Sequence, residues 1–414
     1  MKKKVLIVCF ALALAAGGVV AWYQLSHQNN EGAQQKVSDD TTPAATPTPT
    51  PASSDDDQPK KTNDSTWPTD ELFSAQYARA TEILNKMSTE EKVGQVFLAR
   101  YPETQAEVQK EISAYYPGGY VMFGRDFADQ TKSSVIARID DNQSRSKQPM
   151  IFGVDEEGGT VVRVSAYRAF RAAKFWSPQA LYKKGGMNLV LSDAQEKDTL
   201  LKSLGLNLNL APVADLPTYT GSFMYARSFG TDAQLTSSYV SQVVAKMKAD
   251  GLSSTLKHFP GYGDNVDTHT GIAVDKRDCA RFEAADFKPF EAGIAAGTPT
   301  ILVNHNIVNC MDSTKPASLS AAVHDKLRTE LKYSGIIMTD DLGMDAVKTY
   351  VTNGSAAVDA MLAGNDMIIT SNFAQHYTEL LAGVKDGRVS VDMLNVAVRR
   401  ILAWKLAYGI LNKK

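Results

Sequence analysis

Short apolar runs alternate with longer amphipathic stretches over most of this chain. The apolar runs fall at 94–99, 119–123, 150–154, 206–213, 253–257, 300–304, 335–339 and 366–370. Each has the length of a strand buried on both faces. Between them lie helix-length segments such as Ala233–Asp250, with Gly251 placed to follow a helix C-cap. Ser88 followed three residues later by Glu91 forms a capping-box pattern that opens a short helix. Segments 318–333 and 390–411 also read as helices with serine at the start. Strand–helix alternation builds a parallel sheet covered by helices. Eight such units predict an α/β fold with a single (β/α)8 TIM barrel. An open doubly wound sheet is the alternative, and the lack of a GxGxxG after the first strand weakens a dinucleotide reading.

The pattern is different upstream. Lys2, Lys3 and Lys4 precede an apolar run over 5–23, the order expected of an export signal. That run also approaches the length of a membrane span, so a cleaved signal and a retained anchor both stay open. Val8 before Cys9 is not the small residue that lipidation requires. Residues 28–66 are rich in Thr, Pro, Ser and Asp and cannot bury a core. Their proline repeats favour an extended spacer. The expected organisation is a signal peptide or anchor at 1–27, a disordered linker at 28–66, and the barrel at 67–414. The basic head should stay inside, placing the barrel outside the cytoplasmic membrane, secreted or anchored to its outer face.

Composition narrows the function. Of 414 residues, 43% are hydrophobic and 22% charged, which suits a globular domain with ample core. A formal charge of -2 offers no basic surface for nucleic acid. Cys9, Cys279 and Cys310 are the only cysteines; a Cys279–Cys310 bridge is conceivable, but two free thiols are expected. Neither CxxC nor HExxH occurs, so no metal site is expected.

The candidate chemistry lies at the strand ends. In such barrels the active-site groups come from the C-terminal ends of strands and the loops after them. Asp155, Asp215, Lys257, His258, His305 and Asp340 follow the third to seventh expected strands. Asp340 and Asp341 end an apolar strand together, and alternation sends neighbouring side chains opposite ways. One acid can then face a site while the other braces the scaffold. The loop after the fifth strand, Lys257–Gly271, carries Asp267 and His269 two residues apart. A carboxylate bonded to imidazole fixes its tautomer and raises its pKa, which suits a proton donor. His324 and His376 fall on expected helices and read as surface or packing residues.

Along the chain run Asp155-Glu-Glu-Gly-Gly159 with Arg163, Ala226-Arg-Ser-Phe-Gly230, Lys257-His-Phe-Pro-Gly, Asp267-Thr-His269, Pro316-Ala-Ser-Leu-Ser320 and Thr339-Asp-Asp-Leu-Gly-Met344, in that order. Together they resemble the bacterial β-N-acetylglucosaminidases (β-N-acetylhexosaminidases) of glycoside hydrolase family 3, over residues 67–411. The resemblance implies Asp340 as nucleophile, His269 as acid/base and Asp267 as its partner. It implies sugar contacts by Asp155, Arg163, Arg227, Lys257 and His258. It departs at Tyr262, where the family loop often reads Gly-His-Gly. The β-glucosidase branch takes its acid/base Glu from a second domain, for which 414 residues are expected to leave no room.

The implied function is a retaining exo-β-N-acetylglucosaminidase that needs no cofactor. Its substrate would be a carbohydrate with terminal N-acetylglucosamine, such as a cell-wall fragment. A monomer is expected, touching membrane only through its N-terminal segment. The alternatives are a β-glucosidase, an N-acetylglucosaminide phosphorylase, or a sugar-binding barrel without catalysis.

Overall fold

The computed structural model describes residues 72–413, apart from 267–270, 272, 345–346 and 348. The expected segments 1–27 and 28–66 lie outside the described residues. Among the described residues no helix is long and apolar enough to cross a membrane.

The strands in chain order are β1 Phe97–Arg100, β2 Gly119–Met122, β3 Ile151–Val154, β4 Leu208–Asn209 and β5 Ser253–Phe259. They continue as β6 Val274–Asp275, β7 Thr300–Val303, β8 Ile307–Val308, β9 Ile336–Thr339 and β10 Ile368–Thr370. Eight form one parallel sheet in the order β10-β1-β2-β3-β4-β5-β7-β9. A parallel bridge between Met338 in β9 and Met367 just before β10 joins the two ends of this order. The backbone N of Asp366 also donates to Ile337 O at 2.8 Å. The fold is therefore a nearly closed parallel (β/α)8 barrel, and the open-sheet alternative falls. β6 and β8 pair separately as a small ribbon beside the barrel mouth.

Local chemistry sets most helix ends. Ser88 accepts from Glu91 N at 3.2 Å and Glu91 accepts from Ser88 N at 2.9 Å, completing the capping box of helix Thr89–Gln95. Asp232 caps helix Ala233–Asp250, and Gly251, at φ 73°, ends it in a conformation that a Cβ would disfavour. Ser390 caps helix Val391–Ala407. The core comprises fully buried strand residues such as Phe97, Phe152 and Ile337 and helical residues such as Trp404. Full burial of each large apolar side chain stabilises by about 1.5–3 kcal/mol relative to exposure.

Four expectations are corrected. β1 starts later than residue 94 because Val93, Gly94 and Gln95 complete a buried helical turn. β4 ends at Asn209 because Pro212 has no N–H for a ladder; Leu210 N still reaches Val154 O at 2.9 Å. The helix expected from Ser318 starts instead after Ser320, whose side chain caps Val323 N. Ser318 is engaged elsewhere, 2.7 Å from His305 Nδ1. Finally, Cys279 and Cys310 are a disulfide with Cα atoms 5.4 Å apart, not free thiols. The β6–β8 ribbon, with Val274 opposite Ile307 and Asp275 opposite Val308, delivers the two cysteines to each other.

Candidate active site

β3 ends in Asp155, and the loop after it is built around an internal carboxylate. Buried Glu156 accepts from Arg163 N at 2.8 Å and Val164 N at 2.7 Å. Gly158 sits at φ 97°, where a Cβ would strike the Trp176 carbonyl. The tight return brings Arg163 beside Asp155, Nη2 to Oδ2 at 3.9 Å. Phe123, after β2, lies under the guanidinium groups of Arg100 and Arg163, at 4.9 and 5.7 Å.

β5 supplies two consecutive residues to the same cavity. Strand alternation would send Lys257 and His258 to opposite faces. The β5–β7 register shifts between Leu256 and Phe259, and both side chains line the cavity. Lys257 Nζ lies 2.6 Å from Asp155 Oδ1 and 2.8 Å from Glu157 Oε1. Glu157 also accepts from Arg227, Oε2 to Nε at 3.0 Å and Oε1 to Nη2 at 2.7 Å. Burial pushes the Glu157 carboxyl up, but the charges of Lys257 and Arg227 outweigh it and hold the pKa at about 2. Burial pushes Lys257 down, and Asp155 and Glu157 reverse the sign, so its ammonium persists above the usual lysine range. His258 is held from behind: Asp215 Oδ2 is 2.7 Å from Nδ1 and 3.1 Å from its backbone N.

β9 brings in the opposite wall. Asp340 follows Thr339, and its Oδ1 accepts from Asp341 N at 2.9 Å. Asp341 Oδ1 accepts from Gly343 N and Ser371 N, both at 2.8 Å, and so ties the end of β9 to that of β10. His305 does not line the cavity; its Nε2 lies 3.0 Å from Asp341 O, bracing the same turn. His324 and His376 are buried packing residues.

Asp155, Arg163, Arg227, Lys257, His258 and Asp340 thus line one cavity of about 290 Å³ at the barrel mouth. Six of the eight residues expected at the site are brought together. The other two, Asp267 and His269, lie outside the described residues. On the described part of their loop, Tyr262 N donates at 2.7 Å to Asp215, the carboxylate that also holds His258. Tyr262 is buried, its ring 5.6 Å from His258 and 5.8 Å from Phe223.

Sequence reasoning missed Glu157 and gave Asp215 no role. Charge balance held the signal. Lys257, Arg163 and Arg227 converge where Asp155 was the one acid assigned among the sugar contacts, and buried cations require partners. Arg100 and Phe123 carried no such signal. Among the described residues no group of acids, histidines or cysteines is arranged to hold a metal.

A parallel barrel thus carries, at one mouth, a cavity where Asp340 stands with a set of paired cations and carboxylates. The chain belongs to glycoside hydrolase family 3: the model of the Glycosyl hydrolase family 3 N terminal domain matches residues 88–404. A beta-hexosaminidase A of Pseudoalteromonas piscicida is 27% identical over 72% of this chain and 55% of its own. A beta-hexosaminidase of Xylella fastidiosa (strain M23) is 30% identical over 69% of this chain and 85% of its own. The solved glycoside hydrolase family 3 beta-N-acetylglucosaminidase of Paenibacillus sp. str. FPU-7 aligns with a TM-score of 0.72 and 28% identity. That alignment covers 78% of this chain and 63% of the other. The chain therefore spans just over half of the first of these relatives and less than two thirds of the Paenibacillus chain.

Proposed function

We propose that this chain is a retaining exo-β-N-acetylglucosaminidase, releasing terminal β-linked N-acetylglucosamine through a covalent glycosyl-enzyme. The observation that carries it is Asp340 on the cavity wall across from the Asp155–Lys257–Glu157–Arg227 network. Cations and carboxylates are balanced around the cavity, which favours a neutral polyol. At about 290 Å³ the space lies at the small end of ligand pockets, suiting one sugar ring and exo action.

In this mechanism Asp340 attacks the anomeric carbon and the leaving oxygen departs with a proton from His269. Asp267 keeps that imidazole protonated and oriented. In the second step neutral His269 takes a proton from water, which hydrolyses the Asp340 ester. Arg163, Arg227 and Lys257 donate to sugar hydroxyls, Asp155 accepts from them, and His258 is oriented by Asp215. Imidazole in the acid/base role repels an anionic acceptor less than a carboxylate would, so phosphorolysis is the competing outcome.

The test is release of nitrophenol from the β-N-acetylglucosaminide and the β-glucoside, with and without phosphate. Release from the first alone, unaffected by phosphate, supports the proposal. Release from the glucoside alone, phosphate-dependent release, or none would point to the glucosidase, the phosphorylase or the binding barrel. Asp340→Asn should lose at least about 10³-fold in kcat while keeping its thermal transition. The signal and spacer at 1–66 are read as carrying a monomeric barrel to the outer face of the membrane, toward wall-derived oligosaccharides. Fractionation of cells expressing the full chain checks this, and cytoplasmic recovery would reject it.

A further inference from the structure

The 262–274 excursion leaves the end of β5 and returns through β6, and one side chain meets it at several points. Arg277 Nη2 donates to Gly261 O at 2.9 Å, where the excursion starts. The same guanidinium clasps Asp275, where it ends, with Nε at 3.0 Å from Oδ1 and Nη2 at 2.7 Å from Oδ2. Nη1 reaches Asp286 Oδ1 at 2.8 Å, fixing both ends to the start of helix Phe287–Ala295. Asp275 passes the restraint into the loop: its Oδ2 accepts from Asn265 Nδ2 at 2.7 Å. The guanidinium lies over the Phe282 ring at 4.3 Å. Asp275 and Asp286 are each 1% exposed. Gly263 follows from this arrangement, because a Cβ there would stand 2.6 Å from Arg277 Cζ.

A guanidinium held at once by Gly261 O and by two buried carboxylates has little freedom to shift. It sets the separation and direction of the two limbs that lead to Asp267 and His269. A proton donor misplaced by about 1 Å can lose on the order of 10²-fold in rate. We infer that Arg277 is a positioning residue for leaving-group protonation, clamping the entry, interior and exit of the loop that bears the acid. The inference rests on the reading of His269 as that acid. Arg277 stands outside the residues that line the cavity. Lysine cannot replace it, because a single ammonium cannot satisfy Gly261 O and two carboxylates in a planar fork.

The experiment compares His269→Ala, Arg277→Lys and their double variant in the full chain. Aryl β-N-acetylglucosaminides with leaving groups from dinitrophenol to unsubstituted phenol supply the graded demand for a proton. For His269→Ala, kcat/KM should fall steeply as the leaving group worsens. Arg277→Lys should follow the same trend in weaker form, losing about tenfold on phenyl and less than about threefold on dinitrophenyl substrates. The double variant should match His269→Ala within about twofold, because the clamp acts through that residue. Equal losses on all leaving groups, or additive losses in the double variant, would overturn the clamp while leaving the acid in place. A flat profile for His269→Ala would instead remove the acid and the clamp with it. Should Arg277→Lys fail to fold, Asn265→Ala, which cuts only the strut inside the loop, is held to the same profile.

Discussion

Glu157 and Lys257 meet at 2.8 Å, Oε1 to Nζ, inside the barrel mouth where both are buried. Lys257 is simultaneously 2.6 Å from Asp155, and Glu157 2.7 Å from Arg227. Residues from three successive strand–loop units are thereby held by one chain of charges, and removing Glu157 leaves buried Arg227 without its carboxylate and Lys257 with only Asp155.

Glu157→Gln should lower the unfolding free energy by about 3–5 kcal/mol, since Lys257 and Arg227 lose their shared counter-charge. The wild type should show the linkage with acid. The folded pKa of about 2 lies below that of an unfolded glutamate. The group's stabilisation is therefore complete above about pH 4.5 and lost as pH falls toward 2. Denaturant titrations across that window should show a shallower fall in the variant, and parallel slopes would refute the pairing.

Asp215→Asn keeps the volume but turns one acceptor into a donor. Asp215 accepts from His258 N, His258 Nδ1 and Tyr262 N. At least one N–H must then face another. The expected loss is about 1–3 kcal/mol of stability, with KM for the glycone rising more than kcat falls. Steady-state kinetics and a thermal scan check both, and unchanged KM would count against His258 as a sugar contact.

Breaking the Cys279–Cys310 bond, by reductant or by paired serines, should lower stability by about 2–4 kcal/mol. Alkylation of the unreduced protein followed by peptide mass analysis should leave these two cysteines unmodified. Labelling of both would return them to the thiol state.

Lys405 is fully buried, its Nζ donating to Gln95 Oε1 at 2.8 Å and Pro149 O at 2.9 Å. Burial pulls its pKa down to about 7. Between about pH 7 and 10 the unfolded lysine holds a proton that the folded one has released. This group therefore makes stability rise with pH in that window. Lys405→Met should remove the rise, so the variant compares best with wild type near pH 6 and worst near pH 10. Equal differences at both pH values would show that Lys405 stays charged in the folded state.

Much of the scaffold is legible in the sequence. Eight apolar runs separated by helix-length segments admit few packings, and the caps at Ser88, Gly251 and Ser390 act within a few residues of themselves. Asp155, Lys257, His258 and Asp340 could be singled out because a barrel presents its strand ends at one mouth. Boundaries moved where a local rule met a neighbour, as at Ser318, whose hydroxyl serves His305 and leaves Ser320 to cap the helix.

The sequence alone determined periodicity, caps and the order of the motifs, because these depend on interactions within one turn or one strand. Tertiary structure decided which charges meet. Glu157 against Lys257 and Arg227, Asp215 against His258, Arg277 across the loop base and Cys279 against Cys310 each join groups whose distance is set by how barrel strands and loops stagger. Coulomb and hydrogen-bond energies fall off within a few ångströms, so no separation counted in residues can stand in for that stagger.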